Sequence, residues 1–132
     1  MGRRVLPIVF LFASAAATVA IFAVAPTAIH DRLAFGTFDT TGPPPRVDYC
    51  GRRYYPAEQP KTETLAQVDA FLARVGVHGL TQVDTAPSGM PVVTNVIPPQ
   101  VRAQYHTNVC TMVLWVKTGD DAYVGYGLSG GP

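Results

Sequence analysis

The feature that most constrains this chain is "VLPIVFLFASAAATVAIFAVA", residues 5–25, which holds no charged side chain. As a helix rising ~1.5 Å per residue it reaches about 31 Å, the thickness of a bilayer's hydrocarbon core. Arg3 and Arg4 stand just before it. Positive charge on that flank keeps residues 1–4 in the cytoplasm and sends everything after residue 25 outside. Pro7 falls in the first turn, where its missing N–H costs little. The run therefore predicts a transmembrane signal-anchor over 5–25. A cell-membrane, single-pass protein follows, with membrane lipid as the partner of that segment. A cleavable signal peptide is the competing reading. "AVA" at 23–25 offers a cleavage exit, but Pro26 follows it, and a cut after "ASA" at 13–15 leaves an apolar stub. Cleavage makes the remainder a secreted protein, and both readings place it outside the cytoplasm.

Net charge is +1, and of ten Lys/Arg two precede the apolar run, leaving eight against nine Asp/Glu beyond it. A near-neutral remainder argues against nucleic acid as a partner. Residues 26–45 contain Gly42, the triple proline Pro43–Pro45 and several threonines, which predicts a linker without regular structure, stiffened by polyproline II. Within it "HDRLAF" is placed at a membrane surface, with Phe35 and Phe38 at headgroup level.

Residues 46–132 form the expected extracytoplasmic domain. "RVDYCGRRYY", 46–55, reads as one tyrosine-rich strand. "KTETLAQVDAFLARVG", 61–76, reads as a helix, with Leu65, Val68, Leu72 and Val75 at helical spacing and Phe71 widening the stripe. Thr62 or Thr64 suits its start and Gly76 its end. "LTQVDTA" and "PVVTNVI", 80–86 and 91–97, flank "PSGM" as a hairpin. One helical turn is expected after Pro99. "TNVCTMVLWVKT", 107–118, turns at "GD", 119–120, into "AYVGYGL", 122–128. The predicted fold class is α+β: an N-terminal transmembrane helix and a small antiparallel sheet of about five strands, order β-α-β-β-β-β, with one packed helix.

Cys50 and Cys110 are the two cysteines. Outside the cytoplasm such a pair predicts a disulfide, between the first strand and the strand holding Cys110. Closing a loop of about 60 residues stabilises by roughly 4 kcal/mol in the chain-entropy picture. Strand alternation puts Tyr54 on the Cys50 face and Arg53 on the other. Arg52, Arg53 and Tyr55, with Trp115, Tyr123 and Tyr126 of the last hairpin, make the candidate binding surface for an envelope protein or a glycan. Plain amphipathic strands and ordinary cross-strand packing account for the same residues.

Catalytic patterns are weak. Neither cysteine sits in C-x-x-C, and His106, four residues before Cys110, lies about 13 Å away along a strand. Ser88, His78 and Asp84 lack a nucleophile elbow, and His78, His106 and Asp84 lack metal-ligand spacing. Asp120 and Asp121 are better read as a turn than as half a calcium loop. "GYGLSG", 125–130, matches G-x-G-x-x-G but opens no helix inside a βαβ unit, so no cofactor is expected.

"DYCGRRYYP" and "VLWVKTGDDAYVGYGLSGGP", with the hydrophobic N-terminus, resemble small membrane-anchored or secreted proteins of GC-rich actinobacteria. That resemblance implies a cell-envelope location and no activity. The expectation is a disulfide-stapled, non-catalytic binding module of the envelope. A released effector or inhibitor, or a small envelope enzyme built on His78, His106 and Asp84, are the alternatives.

Overall fold

A computed structural model describes residues 26–105 and 110–129. Residues 26–35 are helical and are named α1. Then come β1 (Val47–Tyr49), β2 (Arg52–Pro56), β3 (Thr62–Glu63), α2 (Leu65–Arg74), β4 (Thr81–Thr85), β5 (Pro91–Thr94), α3 (Pro99–Tyr105), β6 (Val113–Gly119) and β7 (Ala122–Leu128). Among the described residues seven strands form one antiparallel sheet in the order β1-β2-β7-β6-β5-β4. The short β3 pairs with the start of β7, at Thr62↔Val124 and Glu63↔Tyr123, while β2 pairs with its end. The result is a mostly β half-barrel with short helices. That corrects the α+β expectation of about five strands and one helix.

The largest departure is in the first stretch. "RVDYCGRRYY" is a hairpin, with Val47↔Tyr54, Asp48↔Arg53 and Tyr49↔Arg52 opposed. Cys50 and Gly51 form its two-residue loop, with φ of 57° and 71°. Positive φ at both loop positions matches the right-handed twist of the flanking strands, which is why a Gly there breaks the run. Cys50 is therefore a turn residue and shares no strand face with Tyr54. The opposite assignments of Tyr54 and Arg53 survive, since Tyr54 is buried and Arg53 is exposed.

α2 shows how local sequence sets an element's limits. Thr64 caps its start: the Thr64 side chain accepts from the Gln67 N–H, and Gln67 Oε1 accepts from the Thr64 N–H at 2.8 Å. This reciprocal pair satisfies two of the amides that a helix start leaves open. A third, that of Leu65, donates to Asp121 Oδ1 at 2.7 Å, which ties the helix start to the β6–β7 loop. At the other end Gly76 has φ 75°, and Val77 N–H donates to Leu72 O. That is the Schellman closure, with Val77 and Leu72 in one apolar cluster. Of the expected stripe, Val68 and Leu72 are buried, while Leu65 and Val75 are exposed.

Both faces of the sheet are covered. Val68 and Leu72 of α2 pack with Val93, Trp115 and Tyr123 on one face. Leu114, Val116, Val92, Val124 and Tyr126 point to the other, where Ala34 and Phe35 of α1 join Val47 and Tyr54. Phe35 is fully buried, so it is a core residue and not a headgroup contact. Burying such a side chain contributes about 1.5–3 kcal/mol. Residues of the expected linker are also held. Tyr126 Oη donates to Pro44 O at 2.6 Å, and Arg46 Nη2 donates to Leu33 O at 3.2 Å. Phe38 is exposed, with the Arg32 guanidinium 5.8 Å from its ring centroid.

The membrane expectation is corrected as well. Among the described residues no helix is long and apolar enough to cross a membrane. The single-pass architecture, its membrane localisation and orientation, and the lipid contact through residues 5–25 therefore have no spanning helix to rest on. Residues 5–25 themselves lie outside the described residues, as do 106–109 and 130–132.

Candidate functional site

The expected binding surface divides. Arg52, Arg53 and Tyr55 lie together along a shallow polar depression with Gly51, Leu128 and Ser129. Arg53 Nε is 3.4 Å from Asp48 Oδ2, and Asp48 Oδ1 is 3.4 Å from Arg46 Nε, so one carboxylate is shared by two guanidinium groups. The pair with the exposed Arg53 contributes little, about 0–1 kcal/mol, whereas Arg46 Nε and Asp48 Oδ1 meet out of contact with water. Arg52 and Arg53 are neighbours on a strand and point to opposite faces, which prevents them from forming a two-pronged clamp.

Trp115, Tyr123 and Tyr126 belong to the interior. Trp115 is 2% exposed and donates from Nε1 to Glu63 Oε2 at 2.9 Å. Tyr123 lies in the same cluster, and Tyr126 in the cluster across the sheet. Burial drives the Tyr126 hydroxyl up to a pKa of about 12, because a phenolate has no water to solvate it there. Tyr54, whose Oη donates to Thr111 O at 2.7 Å, is raised by the same cause.

The residues weighed for catalysis do not meet among the described residues. Asp84 Oδ1 lies 3.5 Å from His30 Nε2, on α1, and His78 is exposed in the loop after α2. His106 is outside the described residues. Ser88 Oγ is buried in the β4–β5 turn without a hydrogen-bond partner. Both cysteines are consumed in the Cys50–Cys110 disulfide, with Cα atoms 6.0 Å apart, so no thiol nucleophile remains. Neither is in a strand: Cys50 is in the β1–β2 turn and Cys110 precedes β6. No group of three His, Cys, Asp or Glu is placed to hold a metal ion among the described residues.

One apolar concavity among the described residues was not signalled by any motif. It is an open cleft of about 190 Å³ between the C-terminal end of α2 and the chain entering β6. Phe71, Leu72 and Val75 form one wall, and Met112, Val113 and Trp115 the other. Val77 and Ile97 continue its apolar lining, and Asn95, Thr111 and Cys110 close one end. Phe71 meets Trp115 edge-on, with centroids 5.8 Å apart.

The cleft exists because β5 and β6 part company. They pair only at Val92↔Val116 and Val93↔Trp115. Beyond that, polar side chains take over from the ladder: Thr94 Oγ1 donates to Val113 O at 2.9 Å, and Thr111 Oγ1 donates to the same carbonyl at 2.7 Å. Thr111 Oγ1 also lies 3.3 Å from Asn95 Oδ1, and these two side chains bring polar atoms to this end of the cleft. At its lip Val75 is 60% and Met112 64% exposed.

Phe71, Leu72 and Val75 belong to the apolar stripe of α2, and Val113 and Trp115 to the strand pattern of β6, so nothing in the sequence sets them apart as the walls of a cleft. No family model, no curated protein and no solved structure matches the chain.

Proposed function

We propose that the domain is a binding module that takes a small apolar group, a benzene-sized ring or a short branched alkyl chain, in the cleft between α2 and β6. The size and lining of that cleft carry the reading. A dry apolar cavity of about 150 Å³ is enough to bind benzene, and this cleft holds about 190 Å³ between aliphatic and aromatic walls. Ligand sites are typically apolar concavities with few polar groups that fix orientation, and Asn95 and Thr111 supply those here. Exposed Met112 adds an adaptable thioether at the lip, suited to accommodating groups of differing shape.

The test uses Trp115, the chain's one tryptophan, which lines the cleft. Iodobenzene bound there places a heavy atom beside the indole and quenches its fluorescence saturably, and toluene, which does not quench, displaces it. Val77→Phe fills the cleft and abolishes the saturable component. Quenching that rises linearly to the solubility limit, or is equal in the filled variant, refutes the reading.

A further inference from the structure

The same cleft has a covalent tie in its wall, and an inference resting on the binding reading follows from it. We propose that the Cys50–Cys110 disulfide gates the cleft: oxidised, it holds the wall in the binding shape, and on reduction by a dithiol the wall loosens and the apolar ligand is released.

The wall it governs is residues 110–113. Cys110, Thr111, Met112 and Val113 all line the cleft. The ladder with β7 begins only at Val113↔Gly127, so residues 110–112 have no strand partner. Two kinds of tie hold them. One is polar: the Tyr54 hydroxyl on Thr111 O and the Thr111 hydroxyl on Val113 O, at 2.7 Å each. The other is the disulfide to the β1–β2 turn, 60 residues away in sequence. Both polar ties act on Thr111 itself. Cys110 is positioned by the disulfide, while Met112 lies between the polar contacts of Thr111 and the start of the ladder at Val113.

The strand pairing and packing of the remaining sheet are built from other residues, so the bond adds to their stability without setting their register. The β1–β2, β2–β7 and β6–β7 pairs keep their own registers, and the two apolar clusters lie on either side of them. Breaking the bond therefore acts first on the wall. The bond is also reachable. Cys50 sits in an exposed two-residue loop, and its left-handed φ of 57° is unfavourable for any residue but glycine.

The chemistry balances as thiol–disulfide exchange. A thiolate of the dithiol attacks Cys50 Sγ, the S–S bond breaks, and Cys110 leaves as a thiolate that takes a proton. The second thiol of the reductant then displaces Cys50 from the mixed disulfide. Both cysteines end as thiols, and the dithiol is oxidised by two electrons to its own disulfide.

The experiment follows iodobenzene quenching of Trp115 in the full chain, oxidised and after dithiothreitol, with amide hydrogen exchange measured on both forms. The gate requires saturable quenching in the oxidised protein and an affinity lower by about tenfold or more after reduction, the size of a typical coupling between sites. It also requires that exchange at residues 111–113 rise by more than exchange in β7, which registers only the general loss of stability on reopening the loop. Equal affinity in the two forms, or unchanged exchange at 111–113, overturns the gate and leaves the binding reading standing. An equal rise at 111–113 and throughout β7 overturns it too, because the bond is then only a staple of the whole fold. Absence of saturable quenching in the oxidised protein overturns the binding reading and the gate together.

Discussion

Replacing Tyr126 by Phe tests whether the segment before β1 is part of the folded domain. Tyr126 is 1% exposed and its hydroxyl donates to Pro44 O at 2.6 Å, across 82 residues of sequence. Pro44 is itself buried. Tyr126→Phe leaves the ring's packing intact and strands a buried carbonyl, a change that costs about 1–3 kcal/mol. For a domain of about 100 residues that lowers the Tm by roughly 5–14 °C, measurable by calorimetry at pH 7.

The pH dependence sharpens the test. The folded-state pKa of Tyr126 is pushed up to about 12 from an ordinary 10 by burial. A group raised in this way gives stability that is fully present below pH 10 and is lost as pH climbs through about 12, because the unfolded chain ionises first. Wild-type protein therefore weakens on this account above pH 10, and Tyr126→Phe does not. The gap between the two melting curves should narrow steadily over that interval. Tyr54 is raised in both proteins, so its contribution cancels. Equal Tm values at pH 7 would show that Pro44 is not held by this bond, and two curves that stay parallel to pH 12 would show that the Tyr126 hydroxyl is not buried.

Other outcomes follow from single contacts. The double change Cys50→Ser with Cys110→Ser should cost about 4 kcal/mol in equilibrium urea unfolding, from the loop of about 60 residues it reopens; a loss below about 1 kcal/mol would point to an unfolded state already compact in that region. Glu63→Leu removes the acceptor of the buried Trp115 N–H and should cost about 1–3 kcal/mol, with Glu63→Gln recovering most of it. Thr64→Ala breaks the reciprocal cap of α2 and should cost about 1 kcal/mol, read by the same unfolding curves, with Thr64→Ser close to wild type.

How much was legible in the sequence depended on which neighbours each segment meets. The helix expected over 61–76 forms over Leu65–Arg74, with Thr62–Glu63 taken instead by β3, and the hairpins of β4–β5 and β6–β7 form with shorter or shifted strands, because these segments carry their own period and turn residues. The last turn moved by one residue: Gly119 still pairs with Ala122, and Asp120 and Asp121 make the loop. A register shift near Thr118 absorbs the difference, which no residue pattern announces.

Residues 46–55 misled because tyrosine and arginine are good strand residues on both sides of the turn. Gly51 inside the run was the signal that it breaks. Trp115, Tyr123 and Tyr126 were grouped on one surface because they share the last hairpin, although Tyr123 and Tyr126, three residues apart, fall on opposite faces of β7. Here α2 covers one face and α1 the other, so successive residues of β6 and β7 are buried alike. That second cover, with Phe35 at its end, lay in a stretch whose prolines and threonines suggested loose chain. The cleft was invisible for another reason, since it arises where two strands diverge.

The sheet's borders limit how the molecule can associate. One border is β1, three residues long, with Asp48 in the middle. The other is β4, where the register slips between Gln82 and Asp84 and a carboxylate follows the irregularity. Short length, a bulge and charge are what deter another chain from adding a strand, the step that begins ordered aggregation. A second copy is discouraged from continuing this sheet from either of these borders, and recognition by backbone zippering is discouraged with it.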